Sequence, residues 1–337
     1  MGSAGDPTLQ YSSTPSLQES RITLMATESE EIAFVEELKR ISGLRVKIAE
    51  PLARYTTMKI GGPADYFIEA QTEMALASLL PLLHREGTPF CLLGNGSNVL
   101  ISDRGVRGVV LRLAGEFKGV EWEDTGETVR AQVGAACAVT QLVREAARRG
   151  CAGLEFAEGI PGTMGGALVM NAGAYGSEFE KVVDQVEGIS RDGERVRFSR
   201  TEMTFSYRDS HVPPGVVVTR VRLGLHKEEA AQVSSKVREL VSKRKSSQPS
   251  GRPNSGSMFR NPPGDFAGRL IEAAGLKGKR IGQAQISERH ANFIVNLGGA
   301  KAQDVHDLMD LARAEVTQRF GVELIPEVRL LGEWRQA

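Results

Sequence analysis

The stretch GLEFAEGIPGTMGGALVMNAGAYG (Gly153–Gly176) carries seven glycines in 24 residues. Glycine loses more conformational freedom on folding than any other residue, so such a cluster implies positive φ or a close backbone approach to a ligand. Pro161-Gly162 in its middle marks a tight turn. A second stretch, LGNGSN (Leu93–Asn98), has the same character and follows the apolar run Phe90–Leu93, which reads as a buried strand. A strand running into a small polar loop presents several backbone N–H groups together, which is what a phosphate group needs. Two such loops point to one large, phosphate-bearing ligand held by backbone. Either loop alone is more often a turn. Neither fits G-x-G-x-x-G at a strand–helix junction or the P-loop pattern, which disfavours an ordinary dinucleotide fold and a P-loop ATPase.

Working outward, 337 residues suffice for two or three domains and a sizeable core. Lys plus Arg equals Asp plus Glu at 42 each, so no global field attracts nucleic acid or a membrane surface. Three cysteines (Cys91, Cys137, Cys151) cannot all pair and none forms C-x-x-C. That pattern fits a reduced, cytoplasmic interior and gives no metal site. No apolar run approaches the roughly 18 residues of a membrane helix.

Residues 1–28 are Ser-, Thr-, Gly-, Pro- and Gln-rich and read as a disordered tail, with Met25 as an alternative start. Helical spacing then recurs at Ile32, Val35, Leu38 and Ile41, ending at Gly43, and at Met74, Ala77, Leu80 and Leu83, ending at Gly87. Strands are expected at Asp65–Ala70, Phe90–Leu93 and Val106–Leu113, an α/β alternation. Gly119–Glu123 and Val129–Val133 are further strands. A helix with Val139, Leu142, Val143 and Ala146 on one face is capped by Gly150. After the glycine centre the sequence is β-rich to Leu225, then helical and charged over 227–245. Ser246–Ser255 reads as a linker. Beyond it come a helix at Phe266–Ala274, strands at Arg280–Ile286 and Phe293–Asn296, a long helix from Val305 to Phe320, and a strand at Val328–Leu331.

The glycine centre, together with YTTMKIGGPAD (Tyr55–Asp65), GNGSN (Gly94–Asn98), SYRDS (Ser206–Ser210), GSMFRNP (Gly256–Pro262) and PEVR (Pro326–Arg329), resembles the UDP-N-acetylenolpyruvoylglucosamine reductase family in the order of its blocks. The resemblance runs from about Ile32 to about Gly332. It implies a mixed α+β and α/β fold: a two-part FAD-binding module of the vanillyl-alcohol-oxidase/PCMH type plus a C-terminal α+β substrate domain. The implied parts are residues 29–115 with the closing strand 325–337, then 116–226, then 227–324 over the substrate. No tyrosine lies between Arg208 and Ser257, so the chain looks like the shorter subclass lacking a tyrosine-bearing loop.

The resemblance implies NADPH-dependent reduction of UDP-N-acetylglucosamine enolpyruvate to UDP-N-acetylmuramate through FAD, a cytoplasmic step of peptidoglycan synthesis. The alternative is a sugar or alcohol oxidase of the same fold. Hydride addition to a vinyl carbon pushes electrons toward the carboxylate, which then needs a cationic clamp and a proton at its α-carbon. The family match assigns these tasks to Arg208, Ser257 and Glu327. Read on their own residues, these would be a surface Arg paired with Asp209, a turn hydroxyl capping Met258 or Phe259, and an exposed edge-strand Glu. Gly94, Asn95, Gly96, Ser97 and Asn98 are expected around the FAD pyrophosphate. Gly159, Ile160, Gly162 and Thr163 are expected near the flavin, and Gly61 and Gly62 on the adenosine side. No His or Cys falls in either glycine stretch, so FAD is expected to be noncovalent. Tyr207, Asn261, Lys277 and His290 are the expected substrate contacts. Arg244, Lys245 and Arg252 read as a solvated charge run. The expected partners are the sugar nucleotide and NADPH, with no nucleic acid, membrane or obligate protein partner.

Overall fold

A computed structural model describes residues 28–334. The expected tail therefore lies outside the described residues, apart from Glu28, as do the last three positions of the expected closing segment. In chain order the elements are α1 (Glu28–Arg40), β1 (Leu44–Pro51), β2 (Pro63–Ala70), α2 (Glu73–Arg85), β3 (Phe90–Leu92), β4 (Val99–Ile101) and β5 (Val106–Leu113). There follow β6 (Val120–Asp124), β7 (Thr128–Gly134), α3 (Val139–Arg148), β8 (Cys151–Ala152), α4 (Met164–Val169), β9 (Gly173–Ala174), β10 (Ser177–Glu178), β11 (Val183–Ile189), β12 (Arg195–Ser199) and β13 (Val217–Lys227). The chain ends with α5 (Ala230–Ser247), α6 (Ala267–Ala273), β14 (Arg280–Ile281), β15 (Ala284–Ile286), β16 (Ile294–Asn296), α7 (Ala302–Phe320) and β17 (Arg329–Leu331).

The first sheet has the order β1-β2-β5-β3, parallel except for the antiparallel edge strand β1. Its central strands bury apolar side chains on both faces, and their charged residues pair across them, Arg107 with Asp65 and Arg112 with Glu69. Phe67, Val106 and Val110 face a small core with Leu52, Leu93 and Ile101, while Ile68, Val109 and Leu111 join the large core under α2. That helix buries Leu76, Leu79, Leu80 and Leu83 and leaves Met74 81% exposed, so the buried stripe is rotated from the Met74–Ala77 phase expected. Leu76 and Leu79 also lie in the same core as Val183, Val186 and Val221 of the second sheet, so the two sheets share one apolar interior.

The second sheet is antiparallel in the order β12-β11-β13-β7-β6, with β8 also on β13. The third, β14-β15-β16, packs with α6 and α7 around a separate core that draws in Met58, Ile60 and Leu100 from the first part of the chain. The last strand leaves this third layer and pairs in parallel with β4, Arg329 opposite Val99.

Polar contacts reinforce that junction. The Asp103 carboxylate accepts from the N–H groups of Ala302 and Gln303 at 2.9 and 3.1 Å, the first turn of α7. A carboxylate there satisfies otherwise unpartnered donors and meets the positive end of the helix dipole. Asn296 Nδ2 donates to the Met58 carbonyl at 3.0 Å, and Ser255 Oγ to that of Val99 at 3.2 Å. Among the described residues no helix is long and apolar enough to cross a membrane.

One helix falls where none is expected. α4 contains Gly165 and Gly166, poor helix formers at about 1 kcal/mol each. It forms because Thr163 Oγ1 accepts from the Gly166 N–H at its N-terminus, and Met164 and Leu168 are wholly buried. Gly165 packs tightly there, since a Cβ would sit 3.0 Å from that of Ala135.

Replacing Asp103 by alanine removes the α7 cap across the junction. The expected loss is about 1–2 kcal/mol of stability, read as a lower urea midpoint, with the asparagine variant recovering part of it.

Candidate active site

The two glycine stretches meet. Ser97 Oγ donates to the Pro161 carbonyl at 3.0 Å, and a Cβ on Gly94 would lie 2.7 Å from Thr163 Oγ1. On its other flank the Gly96 carbonyl accepts from the Thr57 N–H at 3.0 Å. Gly96 has φ +60°, and a Cβ there would strike the Tyr55 carbonyl oxygen at 2.3 Å. The loop is thus pinned on both sides. Among the described residues no protein acceptor receives the backbone N–H groups of Gly94, Asn95, Gly96, Ser97 or Asn98. Five successive free donors in a loop immobilised by its neighbours form a cradle for an anion, so these residues fit an FAD pyrophosphate.

Gly159 and Gly162 have φ +75° and +131°, and Gly162 faces Ser97 Oγ. Gly61 and Gly62 are glycines for a reason internal to the protein. A Cβ on Gly62 would lie 2.3 Å from the Asp103 carbonyl, and one on Gly61 3.2 Å from Ile101.

Beside the Gly94–Asn98 loop, three distant segments converge. Asn98 Nδ2 donates to the Glu327 carbonyl at 3.1 Å, and the Asn98 carbonyl accepts from the Arg329 N–H at 3.0 Å. The Glu327 N–H in turn donates to the Met258 carbonyl at 2.8 Å, next to Ser257. Arg208 Nε donates to Glu327 Oε1 at 3.0 Å, with the two side chains only 19% and 16% exposed. The guanidinium lies 4.8 Å over the exposed Tyr207 ring. Arg208 therefore does not pair with Asp209, whose carboxylate accepts from the His211 N–H.

Local geometry explains that direction. Ser206 and Asp209 exchange backbone hydrogen bonds at 2.9 and 3.1 Å around Tyr207 and Arg208, and Arg208 has φ +63°. That is the third position of a type II-like turn, where Gly or Asn is the unstrained choice. Holding an arginine there costs on the order of 1 kcal/mol.

Glu327 is half-buried, its side chain 16% exposed, rather than on an exposed edge. Burial raises its carboxyl above the ordinary value, opposed by the nearby Arg208 and, at longer range, by Arg260; burial prevails. Ser257 does not cap the turn. The Met258 and Phe259 N–H groups are taken by the Asn292 carbonyl and Oδ1 at 2.8 and 2.9 Å, which leaves the half-buried Ser257 hydroxyl unengaged among the described residues.

The outer contacts are more varied. Asn261 Oδ1 accepts from the Ala267 N–H at 3.1 Å and opens α6, leaving its amide donors available. Lys277 is 2.7 Å from Glu272 in a half-exposed ion pair. His290 lies against Gly268, and its Nδ1 accepts from the Asn292 N–H. Burial and then the Lys277 charge lower its pKa, so the ring is neutral near pH 7. Arg244 corrects the reading of a solvated run. Its side chain lies across Gly159, whose absent Cβ would fall 2.7 Å from Arg244 Cδ, and burial lowers its pKa. Lys245 is exposed, and Arg252 is an exposed donor to the Leu297 carbonyl. Two residues that the sequence did not single out matter here. Asn292 holds the Ser257 segment at both the Met258 and Phe259 ends, and Glu158, 2% exposed, accepts from Arg144 at 3.1 Å directly before Gly159. An Asn or Glu in a loop has no periodic signal that would mark it.

Residues 248–331 match the family described as UDP-N-acetylenolpyruvoylglucosamine reductase, C-terminal domain, and residues 64–199 match the FAD binding domain. A relative from Symbiobacterium thermophilum, named UDP-N-acetylenolpyruvoylglucosamine reductase 2, is 48% identical over 86% of this chain and 92% of its own. The chain belongs to the UDP-N-acetylenolpyruvoylglucosamine reductase family. A Rubrobacter xylanophilus relative is 50% identical over 85% of this chain and 95% of its own. The crystal structure of the Thermus caldophilus reductase superposes with TM-score 0.73 at 40% identity, covering 86% of this chain and 98% of that one. The fold is accordingly the FAD-binding PCMH type with the reductase C-terminal domain, and the protein is an FAD-dependent oxidoreductase.

Two expectations follow. Gly96→Ala is strained at φ +60° and clashes with Tyr55, so the purified variant should lack the visible flavin band while keeping its far-ultraviolet dichroism. Glu327→Gln should gain stability relative to the parent as pH rises. A carboxyl raised by folding contributes stability below its unfolded pKa and loses it as pH climbs through the folded one. Urea titrations at pH 4 and 7 should show the Gln variant's relative midpoint higher at pH 7; a difference independent of pH would remove the assignment of burial as dominant.

Proposed function

We propose that the chain reduces the enolpyruvyl ether of UDP-N-acetylglucosamine to UDP-N-acetylmuramate, with NADPH as hydride donor, in the cytoplasm. The observation that supports the assignment of roles is the half-buried Arg208–Glu327 pair, with the Glu327 backbone bonded to Met258 next to Ser257, whose hydroxyl is free among the described residues. FAD, when bound noncovalently along Gly94–Asn98 and Gly159–Thr163, supplies the hydride that reaches the terminal vinyl carbon. Gly61 and Gly62 would border its adenosine side.

The remaining tasks fall to this chain's own side chains. As the vinyl carbon is reduced, negative charge builds on the substrate carboxylate. Arg208 can hold that charge because its guanidinium keeps its proton and presents paired donors. Glu327, 3.0 Å from Arg208 Nε, orients the guanidinium. Its raised carboxyl also makes it a proton-holding group at the same point. Ser257 is a weak acid in water, but next to a strongly basic carbon it can give its hydroxyl proton to one face. The free hydroxyl is what this role requires. The exposed Tyr207 ring, the Asn261 amide, Lys277 and the neutral His290 form the outer, substrate-facing group in this reading, with residues 227–324 closing over the nucleotide.

Ser257→Ala provides the test. The variant's flavin should bleach normally with NADPH under anaerobic conditions, and its recovery on adding the enolpyruvyl sugar nucleotide should slow by about 10²-fold or more. Normal recovery would remove Ser257 from the mechanism. If the wild-type flavin recovered only with oxygen, the chain would be an oxidase of this fold.

A further inference from the structure

The turn that carries Arg208 is anchored from behind by one amide. Asn171, just after α4 at the end of the glycine centre, is wholly buried and has φ +37°, a region that Asn tolerates better than most side chains. Its Nδ2 donates to the Ser206 carbonyl at 3.1 Å, and its Oδ1 accepts from the Glu180 N–H at 3.0 Å. The Ser206 carbonyl thus receives two donors, the Asp209 N–H that closes the turn and the Asn171 amide that ties it to another part of the chain. Two residues beyond Asn171, the Gly173 carbonyl lies 3.5 Å from Arg208 Nη2.

The two backbone bonds between Ser206 and Asp209 close the turn but move with it, so they cannot set its direction. Among the described residues no hydrogen bond other than that of Asn171 links the Ser206–Asp209 backbone to a distant segment. The flank before the turn is steadied through the same residue: Arg200 pairs with Glu180, whose N–H Asn171 accepts, donates to the Met203 carbonyl and lies 4.8 Å over the Phe205 ring. Arg208 at φ +63° holds a strained conformation, which persists only where the surroundings over-determine it. A buried amide bond is worth about as much as such strain, so its loss is enough to free the turn.

We propose that Asn171 is a positioning residue for the reaction: its amide donor orients the Arg208 turn, and through it the guanidinium that receives the substrate carboxylate. The inference rests on the role given to Arg208 above. Asn171 itself touches neither flavin nor substrate in this scheme. It couples the end of the glycine centre to the cation of the site, so that cofactor cradle and carboxylate clamp keep a fixed relation.

The test uses full-length flavoprotein carrying Asn171→Asp or Asn171→Gly, each in the wild-type and in the Arg208→Met background. Asn171→Asp keeps an acceptor toward Glu180 and the tolerance for positive φ but withdraws the donor from the Ser206 carbonyl. Asn171→Gly keeps only the backbone tolerance. Both variants should retain FAD. After anaerobic reduction by NADPH, reoxidation of their flavin by the enolpyruvyl sugar nucleotide should slow by about 10-fold. With Arg208→Met already present, the same substitutions should change that rate by no more than about twofold, because the group they misplace is gone. An asparagine that merely holds the fold would cost the same factor in both backgrounds, and that result would overturn the proposal. A wild-type rate in either single variant would overturn it too, as would loss of FAD from both, which would make Asn171 part of the flavin cradle instead. Wild-type protein in the same assay separates the two levels. If its reduced flavin is not reoxidised by the sugar nucleotide, the proposed function fails and this role with it; if it is reoxidised and the losses are equal in both backgrounds, only the role of Asn171 falls.

Discussion

The parallel pairing of β17 with β4 is the constraint on which the site depends. Asn98 immediately precedes β4 and Glu327 lies two residues before β17, so the register of Arg329 on Val99 places the acidic residue beside the glycine loop. The Asn98 side chain then bonds the Glu327 carbonyl, and Glu327 in turn bonds the segment that carries Ser257. Arg208 reaches the same point from a strained turn in the connection between β12 and β13. Two further hydrogen-bonded contacts brace the glycine loop and the third layer. One is the Asp103 cap on α7, the other the contact of Ser97 with Pro161.

The electrostatics of the site follow from that assembly. One largely shielded carboxylate faces one directly bonded arginine and a second, more distant one, and desolvation still outweighs their attraction. Removing a carboxylate from water disfavours its charged form strongly, and a single well-placed partner need not compensate in full. The result is an acid that holds its proton more readily than a free glutamate, next to arginines that do not give theirs up. Such a set can bind an anion and hold a movable proton in the same volume.

Much of this was legible in the sequence, for reasons that can be named. Strands such as Val106–Leu113 and helices such as Val139–Arg148 carry strong local periodicity, and the structure places them there. The two glycine stretches advertised backbone chemistry, and they do meet. What stayed hidden depends on partners far along the chain. The burial of Glu327, the pairing of Arg208 with it rather than with adjacent Asp209, and the placement of Arg244 across Gly159 are all long-range facts. The short helix α4 was missed because intrinsic propensity opposes it, and tertiary burial of Met164 and Leu168 decides the outcome. The rotated face of α2 has a similar cause, since eight of the ten residues from Met74 to Leu83 are Met, Ala or Leu, which leaves the phase open.

The strand that completes the site is made long after the strand it pairs with. The contact of Asn98 with Glu327 spans 229 positions, a separation that makes loop closure slow relative to local structure. During synthesis the two sheets sharing the large core can assemble while β4 still lacks its neighbour and Arg208 its carboxylate. Domains completed early can fold as units before the remainder is made. A nascent or prematurely terminated chain would therefore own a formed glycine cradle before the Glu327 carboxylate can dock beside it.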